Sequence, residues 1–234
     1  MSFFKEILQG LTDLFFPQYC LHCGQMLLPE EKFLCIECNL DISTVTIQNP
    51  KNNSITKLFW GIIPLESAFA FMRFVPHSPS QTILHELKYK RNKDIGIYFG
   101  QSMAYSMIEK NFPMDFDLIL PVPLHPKKLK IRGYNQAEVI ARAISDVLNK
   151  KIETKAVVRK RFNPTQTRKS KEERWENVKN LFQIVSDKQL KNKHILLVDD
   201  VITTGATIQA LAELLIKIPN VKISAAFLAM AQDI

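Results

Sequence analysis

The sequence predicts an α/β protein, a parallel sheet wrapped by helices, preceded by a small N-terminal module built on four cysteines. Three observations carry this. Apolar runs such as Ile195-Leu196-Leu197-Val198 alternate along the chain with segments of helical period, as strands buried on both faces of a parallel sheet require. All four cysteines fall within the first 38 residues, in two C-x-x-C pairs. The composition, 46% hydrophobic and 23% charged over 234 residues, supports a sizeable core and excludes a disordered or fibrous chain.

The elements follow in chain order. Residues 3–15 line up Phe3, Phe4, Ile7, Leu8, Leu11, Leu14 and Phe15 on one helical stripe. Its polar face carries too little basic charge for a membrane anchor, so it is expected to dock on the protein itself. Cys20-Leu21-His22-Cys23 and Cys35-Ile36-Glu37-Cys38 are separated by eleven residues beginning with Gly24. Two tight knuckles at this spacing supply four thiolates to one tetrahedral zinc, which makes Cys20, Cys23, Cys35 and Cys38 the expected metal ligands. Paired disulfides are disfavoured in a reducing compartment, and a redox dithiol needs a single C-x-x-C. With four sulfurs the site is closed and structural, and His22 is read as a bystander. The stretch 46–58, with Asn49-Pro50-Lys51-Asn52-Asn53-Ser54, reads as a linker or exposed loop. The division expected is therefore an N-terminal helix and zinc module over 1–50 and an α/β domain over 55–234.

Beyond it, Ala68–Val75 reads as a strand, 80–111 as one or two helices, and Phe116–Pro123 as a buried strand ending at a proline-rich turn. Residues 134–149 are helical through Ala137, Ile140, Ala141, Ile144 and Leu148, and Ala156–Arg159 is a short strand. A basic stretch from Lys160 to Lys179 follows. His194–Val198 is a strand, 206–218 its helix, and Val221–Met230 a last strand. No stretch reaches the roughly 18 uninterrupted apolar residues of a membrane span. Lys5, Glu6 and Asp13 interrupt any secretory signal, so the expected compartment is the cytoplasm.

The net charge is +8 and unevenly placed. Leu124 to Asn180 holds 16 basic and 6 acidic residues, a segment expected to attract phosphates, whether of a small ligand or of a nucleic acid. The chemistry itself sits in Val198-Asp199-Asp200-Val201-Ile202-Thr203-Thr204-Gly205-Ala206-Thr207. The strand delivers two acids to its tip. Thr203 to Thr207 then turn into a helix with backbone N–H groups and hydroxyls directed outward, a cradle for a phosphate. Gly205 permits close approach of backbone to ligand. Acids that accept from vicinal hydroxyls beside a phosphate cradle suit a ribose phosphate.

That segment resembles the phosphoribosyl-pyrophosphate (PRPP) motif of type I phosphoribosyltransferases. The whole chain resembles the ComF family of competence-associated, phosphoribosyltransferase-like proteins, through the cysteine module, Leu87-Lys88-Tyr89, Pro121-Val122-Pro123-Leu124, Arg132-Gly133-Tyr134-Asn135-Gln136 and Thr165-Gln166-Thr167. The resemblance implies a type I phosphoribosyltransferase core. It implies that Asp199 and Asp200, with Val201, hold the ribose hydroxyls directly or through Mg²⁺, as catalytic and binding residues. Thr203, Thr204, Gly205, Ala206 and Thr207 would wrap the 5-phosphate. Val122, Pro123 and Leu124 would form the pyrophosphate turn, helped by Lys127, Lys128 and Arg132. Purine-type enzymes of the fold usually carry a carboxylate where Thr203 stands, which makes a purine acceptor less expected here. Nucleobase recognition would fall to a hood drawn from residues 55–95 or from the N-terminal module. Arg161, Arg168, Lys169 and Arg174 would contact pyrophosphate or a nucleic-acid backbone, with Trp175 among them to stack a base or to anchor the segment.

Three functions fit these residues. One is a PRPP-binding protein of DNA uptake that handles single-stranded DNA or an uptake partner. The second is an active phosphoribosyltransferase of nucleotide or nucleoside metabolism with an unidentified acceptor. The third, a zinc-stabilised nucleic-acid module with a vestigial pocket, sits poorly with an intact motif.

Overall fold

The computed structural model describes residues 17–160 and 181–231. The expected helix over 3–15, Thr165-Gln166-Thr167, and the basic residues Arg161, Arg168, Lys169 and Arg174 with Trp175 lie outside the described residues.

The apolar runs become a five-stranded parallel sheet. Its strands are β1 (Ala68–Arg73), β2 (Leu118–Pro121), β3 (Lys151–Ile152), β6 (His194–Ile202) and β7 (Lys222–Met230), in the order β1-β7-β6-β2-β3. The central pair, β6 and β7, is uniformly apolar from Ile195 to Val198 and from Ala225 to Met230 because both faces are covered. A separate antiparallel ribbon joins β4 (Val157–Arg159) to β5 (Phe182–Ile184).

Helices α1 (Ile36–Leu40) and α2 (Ser54–Lys57) precede the sheet. Helices α3 (Pro79–Tyr89), α4 (Lys93–Glu109), α5 (Pro126–Arg132), α6 (Gln136–Leu148) and α7 (Ala206–Leu215) follow β1. Residues 80–111 are thus two helices. The break at Lys90–Asn92 carries Arg91 at a positive φ of 57°, and Asn92 then caps α4 by accepting the Ile95 N–H. Helices α4 and α6 pack closely because Gly96 and Gly100 face Val139, Ile140 and Ala143, where any side chain would collide. Among the described residues no helix is long and apolar enough to cross a membrane.

Seven of the thirteen residues over 46–58, the stretch expected to be a linker or exposed loop, are exposed, and the stretch is anchored on both sides. Residues 43–45 run antiparallel along β1, with Val45 N–H donating to Phe71 and Arg73 N–H to Ser43, and so cover the free edge of the sheet. Asn53 caps α2 and donates to the Ala68 carbonyl, while Ile55, Thr56 and Phe59 are buried. The polar residues there serve capping and turn chemistry while most of them remain exposed. Cysteine module and sheet share one apolar core.

Candidate functional site

The four cysteines converge. Their sulfurs all lie within 4.8 Å of one another, and Cys23 Sγ is 3.6 Å from Cys35 Sγ. A disulfide needs about 2.05 Å, whereas four sulfurs at about 2.3 Å from a central zinc stand about 3.8 Å apart. The cluster therefore fits a structural zinc held by Cys20, Cys23, Cys35 and Cys38. Glu31 clamps the loop between the knuckles, one carboxylate oxygen accepting from Leu28 N–H and the other from Ile36 N–H. His22 turns away from the sulfurs to Thr82 on α3, 2.9 Å distant, and Phe33 meets Tyr98 of α4 edge-on. The module is thus bolted to α3 and α4.

At the opposite side of α3 lies the end of β6. The strand runs to Ile202, four residues past Val198, because β7 continues the ladder through Asp199, Val201 and Ile202. Asp199 and Asp200 are therefore strand residues, and successive strand side chains point to opposite faces. Asp200 faces α3, where Lys88 Nζ sits 3.2 Å from its carboxylate. Asp199 lines the cradle made by Val201 to Ile208, and its Oδ1 accepts the Asp200 N–H at 2.9 Å. Burial, and then the adjacent Asp200 charge, push the Asp199 carboxyl up to about 7. The paired acids are not equivalent: one is ion-paired, the other poised to hold a proton near neutrality.

The turn after β6 has the shape its residues imply. Gly205 adopts φ 75° as the N-cap of α7, and no side chain caps that helix. Its first N–H groups thus have no capping side chain, an arrangement able to bind an anion. Glycine is required on two counts, since the conformation is left-handed and an added Cβ would stand 2.8 Å from the Phe59 ring. Phe59, buried beneath the turn, follows directly on the stretch expected to be a linker. Thr203 and Thr204 are exposed, and Ala206 and Thr207 partly so.

The turn at Val122, Pro123 and Leu124 lies beside this tip, but Val122 is buried and its N–H donates to the Val198 carbonyl. Asn135 holds the turn from the other side, donating to the Val122 carbonyl at 3.0 Å. The R-G-Y-N-Q segment is a clip. Gly133 ends α5, Arg132 donates to Gln136, and the Tyr134 hydroxyl donates to the Leu87 carbonyl at the end of α3. Burial raises the Tyr134 phenol to about 12, so it stays a donor.

Cations surround the acids. Lys128 on α5 is held below the usual lysine range by burial, and then by the nearby charges of Arg159, Arg132 and Lys88; Asp200 opposes the shift. Arg159, at the end of β4, feels Asp199 while its buried Nε finds no acceptor among the described residues. Lys88, Lys128, Arg132 and Arg159 thus converge from three elements. Lys128 and Arg132 were expected from the sequence. Lys88 was visible only as part of Leu87-Lys88-Tyr89, and for Arg159 the sequence carries no signal beyond local charge.

A second cavity, of about 310 Å³, opens next to the cradle and shares Val201 and Thr203 with it. Phe74, Leu84, Tyr89 and Ala231 make its apolar walls, with Gln81, His85 and Lys88 as polar groups. Helix α3 supplies most of this lining.

Residues 134–232 match the Phosphoribosyl transferase domain family. The DNA utilization protein YhgH of Escherichia coli is 29% identical over 142 residues, 59% of this chain and 62% of that protein. Competence protein F of Haemophilus influenzae is 37% identical over 103 residues, 44% of this chain and 45% of that protein. The chain therefore matches less than two thirds of the length of these relatives. Among solved structures, adenine phosphoribosyltransferase of Saccharomyces cerevisiae is 16% identical with a TM-score of 0.42, over 84% of this chain and 87% of that one. The family match takes in both the acids and the turn that follows them, and the relatives that this chain resembles over part of its length bear names from DNA utilization and competence.

Proposed function

We propose that this protein binds PRPP at the tip of β6 and serves DNA uptake or use in the cytoplasm. The observation that carries the reading is the uncapped start of α7, entered through left-handed Gly205 and set directly after two acids ringed by cations. The 5-phosphate sits on the N–H groups and hydroxyls of Thr203 to Thr207, where helix dipole and backbone donors favour an anion. Asp199 and Asp200, with Val201 between the two cavities, take the ribose diol. Lys127, Lys128 and Arg132, behind the Val122-Pro123-Leu124 turn, face the diphosphate. Mg²⁺ would be held mainly by oxygens of the ligand with one carboxylate and waters, screening charge on the diphosphate.

The DNA role rests on the names of the relatives and on the basic character of the chain between Leu124 and Asn180. Single-stranded DNA is the partner that fits, with Arg161, Arg168, Lys169 and Arg174 as its phosphate contacts.

The 310 Å³ cavity favours a second reading, an active phosphoribosyltransferase, because it adjoins Thr203 and is walled for a planar, apolar acceptor. In that case positive charge grows on the sugar carbon as diphosphate departs. The chain then contributes by aligning acceptor and sugar and by neutralising the leaving group with Lys128 and Arg132. No carboxylate lines the cavity among the described residues, so the acceptor would arrive as a nucleophile that needs little help in losing a proton.

Calorimetric titration with PRPP and Mg²⁺ tests the reading. Binding is expected for the native protein and its loss for Asp199→Asn/Asp200→Asn. Equal binding by both proteins removes the strand tip from the account. Diphosphate release with a panel of acceptors separates the two readings.

A further inference from the structure

The Lys88–Asp200 ion pair is out of place in a pocket meant only to receive hydroxyls. Lys88 Nζ lies 3.2 Å from Asp200 Oδ2, and the two side chains are only 22% and 14% exposed. The lysine therefore covers the carboxylate that a ribose diol would use. It also lines the larger cavity beside Thr203 and Val201, and so stands at the seam between cradle and cavity. Its position is fixed from outside the site. Tyr134 bonds the carbonyl of Leu87, the residue before Lys88, and Leu87 itself is fully buried. Lys128, Arg132 and Arg159 share the same field. Four cationic side chains thus face two carboxylates, which leaves a surplus of positive charge there.

We propose that Lys88 is a specificity residue that exchanges partners, leaving its pair with Asp200 for an anionic oxygen at C1 of the sugar when the diol takes Asp200. The proposal rests on the ribose-phosphate reading of the strand tip. No bond is made or broken in the exchange. One charge-assisted contact replaces another, so Asp200 is never left buried without a donor and Lys88 is never left without an anion. A sugar with the diol but no C1 anion uncovers Lys88 and offers it nothing. A sugar with a C1 diphosphate satisfies both groups. Affinity then depends on both ends of the sugar together, which a cradle for the 5-phosphate alone would not achieve. Lys88 would thereby reject ribose 5-phosphate, the sugar left when the activated group has gone.

The test compares PRPP with ribose 5-phosphate, both with Mg²⁺, by calorimetry on the full chain and on Lys88→Gln and Lys88→Arg. In Lys88→Gln, PRPP affinity is expected to fall about tenfold or more, the scale of one lost charge-assisted contact. Ribose 5-phosphate affinity should stay level or rise, because no pair has to be opened. Lys88→Arg, which keeps the charge, should retain the preference for PRPP and controls for folding together with a melting curve. An equal fall for both sugars, or no change for either, overturns the exchange while leaving the pocket standing. Failure of the native protein to bind either sugar overturns the pocket, and the proposal with it.

Discussion

Asp199→Asn should make the ligand-free protein more stable at alkaline pH while destroying its binding site. The Asp199 carboxyl is raised from 3.8 to about 7 by burial and by the Asp200 charge beside it. A carboxyl raised on folding holds its proton more tightly in the native state. Stability is then full below about pH 4 and falls as pH climbs towards 7. About three pH units correspond to an upper limit of about 4 kcal/mol at pH 8. Partial exposure of the side chain reduces this, and about 2–3 kcal/mol is the working expectation. Asparagine keeps the oxygen that accepts the Asp200 N–H at 2.9 Å, and it never ionises. For a chain of this size the gain amounts to roughly 5–10 °C in Tm. Calorimetric melts of both proteins at pH 5 and pH 8, in a buffer free of phosphate, measure it. The gap at pH 5 should be less than half of the gap at pH 8. Equal melting at pH 8, or the same gap at both values, refutes the account of a buried carboxyl crowded by its neighbour. Asp200→Asn should bring no such gain, since it strips Lys88 of its partner.

Other expectations follow from the same site. On the proposed binding mode, in which ionised Asp199 takes the diol, PRPP affinity should rise between about pH 6 and 8, because that carboxyl is raised to about 7; a flat profile in calorimetry counts against it. Gly205→Ala places a Cβ against Phe59 at φ 75° and should cost about 1–3 kcal/mol in urea denaturation, with weakened ligand binding. One zinc per chain is expected by elemental analysis. Its removal by a strong chelator should open residues 17–40 to protease before the sheet unfolds, and Cys38→Ser should mimic this. Neutralising Arg161, Lys169 and Arg174 together should weaken single-stranded DNA binding and flatten its salt dependence by about 2 log units per log unit of salt.

The site's ligand-facing backbone was legible because it is local. Asp199 to Thr207 are consecutive, and the left-handed glycine and the helix start follow from that stretch, whereas the strand runs on from Val198 to Ile202 because β7 pairs with it. The cysteine cluster was legible for a related reason, since four sulfurs at fixed spacing have few other uses. Within residues 46–58 the inward packing of Ile55 and Thr56 beside Asn53 was not legible, because capping asparagines and turn residues look the same whether water or a sheet edge lies beyond them. The split between α3 and α4 falls on Lys90-Arg91-Asn92, a run without proline or glycine to announce it.

The sequence by itself determined the parallel sheet, the four-cysteine cluster and the glycine turn into α7, since apolar periodicity and short-range spacing encode each of them. Only the tertiary structure decided that Asp200 is covered by Lys88 from α3 and that Asp199 sits near Arg159 from β4. It also decided that Phe59 supports Gly205 and that α3 walls a cavity beside Thr203. These pairings join residues 40 to 146 positions apart. They depend on how helices and loops settle over the ends of the strands, and charge or burial at one position carries no record of the partner it will meet.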